Sequence, residues 1–304
     1  MWVYLNGAFV KEENAMVPVK DHSFLYGDGC FEGIGVFSGR VIHLGEHVDR
    51  FYRSARMLRI PVPVPPAQLS DLIVETARRN GMGGSAGTGY LRPILSRGAG
   101  PLGVGWSTRI EKPTLAIIPQ IGERTIAYGE EIPVLTTVIS PVTKPDPASI
   151  EPRIKTNNYI NSILAFLDAA DRGADAAILR DQRGFICEAH GMNIMAIARN
   201  RIATPPEGVA LAGITRANVL RAASELGIEW TEASLTPYDL ICADEVLLTS
   251  SLDGVSAVSA IDGRALPGPV PGMTTRRLRD AYVKRALSDG VPVGPAKGRG
   301  DDDR

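Results

Sequence analysis

The chain has 304 residues, of which 44% are hydrophobic and 22% charged, and its formal net charge is −1. That is the composition of a globular protein with ample core and a length that suggests two domains, and the near-neutral charge offers no footprint for nucleic acid or an anionic membrane. No apolar run reaches the ~18 residues that would span a bilayer. The N-terminal MWVYLNGAFVKEE lacks the basic-then-apolar order of a cleaved signal. Cys30, Cys187 and Cys242 are far apart with no CxxC, so a reducing cytoplasm is expected, with neither a zinc site nor a disulfide framework.

In chain order, Asn6-Gly7 between two alternating apolar runs predicts a first hairpin, and Ser38-Gly39 in GVFSGRVIHL predicts a second. A helix is expected from about Gly45 to Leu58, with Val48, Phe51, Tyr52, Ala55 and Leu58 on one stripe and PVPVPP as its stop. Another runs from about Leu69 to Asn80 and ends in the glycine-rich GMGGSAGTG, before the strands YLRPILS and PTLAIIPQ. Apolar periodicity fades over residues 121–131, which reads as a linker. The expected division is therefore a small α+β domain at 1–120 and a larger cofactor-binding domain at 132–290.

The second block opens with the strand VLTTVIS and a proline-rich excursion from Pro141 to Pro152. Tyr159, Ile160, Ile163, Leu164, Phe166 and Leu167 then recur at the spacing of a buried helix face, with Asn157 or Asn158 as its N-cap and Gly173 as its end. AAILR and FICEA flank the turn DQRG, NIMAIAR follows, and a helix runs from near Thr215 to Leu226. EVLLTSS is a strand, Asp262-Gly263 turns another hairpin, and TTRRLRDAYVKRALSDG is a last amphipathic helix. Residues 291–304 read as a disordered, Pro/Gly-rich tail.

Few residues announce chemistry. The G-x-G-x-x-A stretch near Gly81 follows a helix and precedes a strand, the wrong context for a dinucleotide fingerprint, and reads as a loop. There is no GK[ST] or HExxH, and His22, His43, His47 and His190 show no metal spacing, so no metal is expected. Lys155 stands before a helix start, where the macrodipole disfavours a protonated amine; most such lysines are solvated surface residues, and one with a lowered pKa is a Schiff-base nucleophile. Gly213, Ile214 and Thr215 open a helix, either as a plain cap or as an anion site. Thr249, Ser250 and Ser251 form a hydroxyl cluster at a strand exit. Arg50 lies about 200° around its helix from Val48, on what periodicity makes a solvated face. Glu188 ends an apolar run and needs a cationic partner, most simply in a structural ion pair.

In order along the chain, FLYGDGCFEGI, HVDRFYRSA, YLRP with SRGAGPLG, IKTNNYINSILA, CEAHGMNI and GITRANVL resemble segments of the fold-type IV, pyridoxal-phosphate-dependent (class IV) aminotransferases. The match is nearest to the branched-chain amino acid aminotransferase group and runs from about Val3 to Gly290. The resemblance implies an α+β / mixed α/β fold, with a small α+β domain and a larger pseudo-barrel domain, and pyridoxal 5'-phosphate as cofactor. It also implies at least a homodimer, and ping-pong transamination between an amino acid and a 2-oxo acid, with L-branched-chain amino acids and glutamate/2-oxoglutarate as substrates.

The same resemblance assigns roles. Lys155 holds the cofactor and shuttles the Cα proton, Glu188 pairs with the pyridine nitrogen, and Tyr159 meets the ring's phenolic oxygen. Arg50, Ile214, Thr215, Ser251 and Ser250 hold the phosphate, so that a dianion meets one arginine and a helix start. Tyr90 and Arg92 read the substrate side chain, Tyr26, Phe31 and Gly33 line an apolar wall, and the Ser251-Leu252 turn takes the α-carboxylate. This chain departs from the group at Ser251-Leu252-Asp253-Gly254, where Thr-Ala-Ala-Glu is usual, and at Gly35, His190 and Met192. These departures bear on the substrate and leave an R-selective amine or D-amino acid transaminase, or 4-amino-4-deoxychorismate lyase, as alternatives of the same fold.

Overall fold

The computed structural model describes residues 1–121 and 131–295. The chain divides into two compact units: Met1–Ile126, Ile154–Asn158 and Ala286–Arg304 make the first, and Ala127–Arg153 with Tyr159–Arg285 make the second. The expected linker lies mostly outside the described residues, as does most of the expected tail. Two features differ from the expected division. The five residues around Lys155 belong to the first unit, and so does the chain from Ala286 onward.

The first unit contains β1 (Trp2–Leu5), β2 (Ala8–Lys11), α1 (His22–Tyr26), β3 (Gly29–Phe31), β4 (Ile34–Phe37), β5 (Arg40–Val41), α2 (Leu44–Leu58), α3 (Pro66–Arg79), β6 (Gly89–Ser96) and β7 (Thr114–Gln120). Its sheet runs β5–β4–β6–β7–β1–β2, with β3 also on β6, and every pair is antiparallel. Val291–Pro292, expected to begin the tail, pairs with β5 instead. The β1–β2 and β4–β5 turns have both central residues at positive φ, 48° and 101° at Asn6-Gly7 and 48° and 69° at Ser38-Gly39. That geometry matches the twist of the flanking strands, and these residue types tolerate it. Phe51, Leu69 and Ile73 from α2 and α3 share one core with Leu91, Leu95, Leu115 and Ile117 of the sheet.

The second unit contains β8 (Val134–Ile139), α4 (Ile160–Asp171), β9 (Ala176–Arg180), β10 (Ile186–Ala189), β11 (Asn193–Ala198), β12 (Arg201–Thr204), α5 (Ile214–Glu225), β13 (Trp230–Glu232), α6 (Pro237–Ile241), β14 (Glu245–Ser250), β15 (Gly254–Ile261) and β16 (Arg264–Ala265). The last helix, α7 (Met273–Asp289), carries the chain onward. The sheet order is β10–β9–β8–β15–β14–β11–β12–β13, with β16 on β15. β8 lies parallel to both β9 and β15, and α4 is the crossover that a parallel β8–β9 pair requires. The short helices α1 and α6 were not anticipated, although Thr236 and Asp239 form a capping box on α6.

Helix α4 reverses the expected orientation. Ala165 and Ala169 are fully buried with Val138, Ala177 and Leu179, whereas Ile160, Ile163, Leu164, Phe166 and Leu167 are all exposed, Ile160 by 65%. Periodicity locates an apolar stripe but not what covers it. Here the small side chains let the helix close on the sheet, and the large ones face outward. The N-cap is Tyr159, with no side-chain cap bond, rather than either asparagine.

This packing sets a stability test. Ala169→Leu forces a large side chain between α4 and the sheet and should destabilise the protein by about 1–3 kcal/mol. Denaturant unfolding of the variant against the parent measures it.

Candidate active site

The segment bearing Lys155 is bonded to β3 and its surroundings. Phe31 N–H donates to Lys155 O at 3.0 Å and Asn157 N–H to Gly29 O at 3.0 Å, while Lys155 N–H donates to Ser54 Oγ at 3.3 Å. The asparagines expected to cap a helix tie this segment down: Asn157 Nδ2 donates to Ser23 Oγ at 2.6 Å and Asn158 Nδ2 to Gly27 O at 3.0 Å. A Cβ on Gly29 would lie 2.4 Å from the Leu95 carbonyl oxygen and 2.5 Å from Asn157 Nδ2, so a glycine is needed where β3, β6 and this segment meet.

Lys155 Nζ then sits 4.6 Å from the centroid of the Phe31 ring. The Arg92 guanidinium is 5.0 Å from the same ring and 5.4 Å from that of Tyr90, and Arg92 Nη2 donates to the Tyr90 hydroxyl at 3.3 Å. Tyr90 and Arg92 are two apart on β6 and share a face. A Cβ on Gly33 would lie 2.0 Å from the Tyr90 hydroxyl, so any larger residue would push the tyrosine away. Phe31, Gly33, Tyr90 and Arg92 are therefore gathered with the lysine. Tyr26, expected on the same wall, is engaged elsewhere: its hydroxyl accepts from Gly103 N–H at 2.7 Å, and its ring meets His22 edge-on.

Arg50 is 5% exposed, not on a solvated face. What draws it inward is Glu32, a residue that sequence reasoning did not single out although it lies in FLYGDGCFEGI. Arg50 Nε and Nη2 each donate to a Glu32 oxygen at 2.7 Å, and His47 Nδ1 lies 2.7 Å from Glu32 Oε2. Burial alone would raise the Glu32 carboxyl, but the charge and hydrogen bonds of Arg50, with His47, outweigh it and hold the pKa to about 2. Burial lowers the His47 pKa, and the charges of Arg50 and Lys155 push the same way against Glu32. The arginine expected to meet a phosphate thus also carries a buried carboxylate, with which it shares its charge.

In the second unit, Glu188 lies on β10 where the register with β9 shifts between Ile186 and Glu188, an irregularity that re-aims a side chain. It is 7% exposed. One oxygen is paired with Lys144 Nζ, and the other accepts from Leu211 N–H at 3.0 Å. Asn193 Nδ2 donates to Leu211 O at 2.9 Å, and a Cβ on Gly213 would lie 1.8 Å from Asn193 Oδ1. Glu188 and Asn193 thus hold the turn that leads into α5. That helix starts at Ile214 with Gly213 as an N-cap that supplies no side-chain acceptor, and Ile214 and Thr215 are buried. An N-terminus of this kind presents backbone N–H groups to an anion.

The β14–β15 turn differs from expectation. Ser250 Oγ accepts from Leu252 N–H at 3.2 Å and Asp253 N–H at 2.9 Å, and lies 3.1 Å from Asp253 Oδ2. The hydroxyl expected to hold a phosphate closes the turn instead, and the Leu252 amide expected to meet a carboxylate points at it. A serine at a turn start competes for nearby amides in this way. Tyr159 is half-buried at the start of α4, Ser251 is half-buried in the turn, and His190 stacks against Phe166 with centroids 4.9 Å apart. Among the described residues no His, Cys, Asp or Glu cluster is arranged to hold a metal ion.

Residues 29–261 match the family described as amino-transferase class IV. A Methanocaldococcus jannaschii protein whose name places it provisionally among the branched-chain-amino-acid aminotransferases is 37% identical over 299 residues, covering 96% of this chain and 99% of the relative. The solved branched-chain amino acid aminotransferase of Escherichia coli superposes with a TM-score of 0.83 at 27% identity, covering 94% of each chain. A further solved branched-chain amino acid aminotransferase, complexed with N-(5'-phosphopyridoxyl)-L-glutamate, gives 0.85 at 32%, again covering 94% of each chain. The Thermoproteus uzoniensis branched-chain aminotransferase with norvaline gives 0.86 at 31%, covering 97% of this chain and 99% of that one.

The Glu32 cluster predicts a pH response. The carboxyl is depressed from 4.5 to about 2 in the fold, so its stabilisation is complete above pH 4.5 and is lost as pH falls toward 2. His47, with its pKa lowered from 6.5, adds stability that is lost as pH falls below 6.5. Glu32→Gln should cost about 3–5 kcal/mol at neutral pH by leaving Arg50 buried without its partner, and should flatten acid unfolding between pH 4.5 and 2. Urea titrations at several pH values measure both effects.

Proposed function

The chain belongs to the class IV aminotransferases, and from that premise we propose that it moves amino groups between L-branched-chain amino acids and 2-oxoglutarate in a ping-pong exchange. Its cofactor is pyridoxal 5'-phosphate, whose aldehyde takes up the amino group and whose ring stores electrons released at the substrate Cα. The residues present fit that group. Glu188 is a buried carboxylate suited to a protonated ring nitrogen, and α5 opens on a glycine whose close approach to Asn193 leaves no room for a Cβ.

In this reading Lys155 carries the cofactor aldehyde and moves the Cα proton. Glu188 keeps the ring nitrogen protonated, and Tyr159 donates to the phenolic oxygen. Ile214, Thr215 and Ser251 hold the phosphate together with Arg50, which shares its charge with Glu32. Phe31, Gly33 and Tyr90 supply the apolar wall for a branched side chain, and Arg92 takes the distal carboxylate when glutamate is the donor. The α-carboxylate is assigned to the Ser251 end of the Ser251-Leu252 turn, because the Leu252 N–H is taken by Ser250 Oγ. The observation that carries this reading is the gathering of Lys155 with Phe31, Tyr90 and Arg92 in one unit.

The partner assigned to this chain is a second copy of itself. The outward apolar row on α4 is the surface such a copy would cover, because five large apolar residues on one short helix are unusual for a monomer. Among the described residues no helix is long and apolar enough to cross a membrane. The exposed free thiol of Cys242 suits a reducing compartment, and the cytoplasm is the location proposed.

Three experiments test these assignments. The visible spectrum of the protein loaded with pyridoxal phosphate should change on adding L-leucine and return on adding 2-oxoglutarate, whereas a coloured protein indifferent to L-leucine overturns the substrate. Lys155→Ala should fold yet lose at least about 10³-fold in turnover. In sedimentation velocity, Leu164→Glu should shift a dimeric parent toward monomer, and a monomeric parent refutes the assembly.

A further inference from the structure

The proline-rich stretch after β8 drew no attention in the sequence beyond its prolines, yet it delivers Lys144 to Glu188. The lysine backbone is anchored at both ends: its N–H donates to Arg180 O at 2.8 Å, and its carbonyl accepts from Gln182 Nε2 at 3.1 Å. Its side chain is 19% exposed and ends on one Glu188 oxygen, while Leu211 N–H holds the other. Burial would lower the pKa of the ammonium, but the charge and hydrogen bond of Glu188 outweigh it, and the pKa is raised. Lys144 is therefore a fixed cation, not a second amine nucleophile.

We propose that Lys144 is a positioning residue, the resident counter-ion of Glu188, which holds that carboxylate oriented so that the cofactor's ring nitrogen meets a preformed acceptor. The inference rests on the reading of Glu188 as the partner of that nitrogen. Stripping a buried carboxylate of its cation is strongly destabilising, whereas a carboxylate that keeps a second cation is far less affected. A protonated ring nitrogen is such a second cation. Lys144 therefore matters most to the cofactor-free protein, and its loss is partly made good when the ring binds.

The test measures thermal unfolding with and without pyridoxal phosphate at fixed protein concentration. Lys144→Met should lower the Tm of the cofactor-free protein by about 5 °C, and the cofactor should raise its Tm by more than it raises that of the parent. Lys144→Arg, which keeps the charge, should behave as the parent. The double variant Lys144→Met with Glu188→Gln removes both charges and should recover the lost Tm without cofactor.

A role confined to packing of the lysine stem predicts something else: equal Tm losses in the loaded and unloaded forms, and no recovery in the double variant. Either result overturns the proposal. Where Lys144→Met does not fold unloaded, folding of the double variant supports the proposal and its failure to fold refutes it. A parent whose Tm ignores the cofactor refutes the underlying reading of the site; a parent and Lys144→Met that gain equally refute only the role of Lys144.

Discussion

A carboxylate removed from water must find donors, and this chain buries one such acid in each of its two units. Glu32 in the first unit and Glu188 in the second are each at least nine-tenths buried, and each organises residues distant in sequence. Glu32 turns Arg50 inward and binds His47 from the same helix. Glu188 reaches 44 residues back to Lys144 and 23 forward to Leu211. Isolated charges in those places would be far more costly than the pairs that form, so burial of the acids dictates where the cations go.

Close approaches do the remaining positioning. Gly29 admits Asn157, Gly33 admits the Tyr90 hydroxyl, and Gly213 admits Asn193. At each a Cβ would collide with a polar side chain, and at Gly29 with the Leu95 carbonyl as well. The lysine segment is held by bonds to β3, and the start of α5 is braced by Glu188 and Asn193 through Leu211. Tyr90, Arg92 and Glu188 stand on strands, and the irregular segment of Lys155 is fixed by its backbone bonds to β3 and Ser54.

Much of the fold was legible because local chemistry decides it. Asn6-Gly7, Ser38-Gly39 and Asp262-Gly263 each mark a hairpin, since few residue pairs accept two consecutive positive φ values. Helices α2, α5 and α7 fall within a residue or two of their expected bounds. Lys155, Glu188 and the Ile214-Thr215 helix start stand out only as motifs in order, on residues that physical reasoning alone leaves ambiguous, and their roles are proposed on that order. Glu32 was legible only as a letter in a motif, and Lys144 hardly at all, because a lysine among prolines looks like surface until a buried carboxylate is found beside it.

By itself, the sequence determined the turn chemistry, the helical and strand periods and the residue types available for Schiff-base chemistry, all properties of neighbours along the chain. Tertiary structure alone decided which face of α4 is covered, that Asn157 and Asn158 brace a segment rather than cap a helix, and that Ser250 closes its own turn. It also decided that Arg50 and Lys144 are the partners of buried acids. The physical reason is that periodicity records polarity, whereas burial and charge pairing depend on groups brought together from distant parts of the chain, and only the folded packing says which those are.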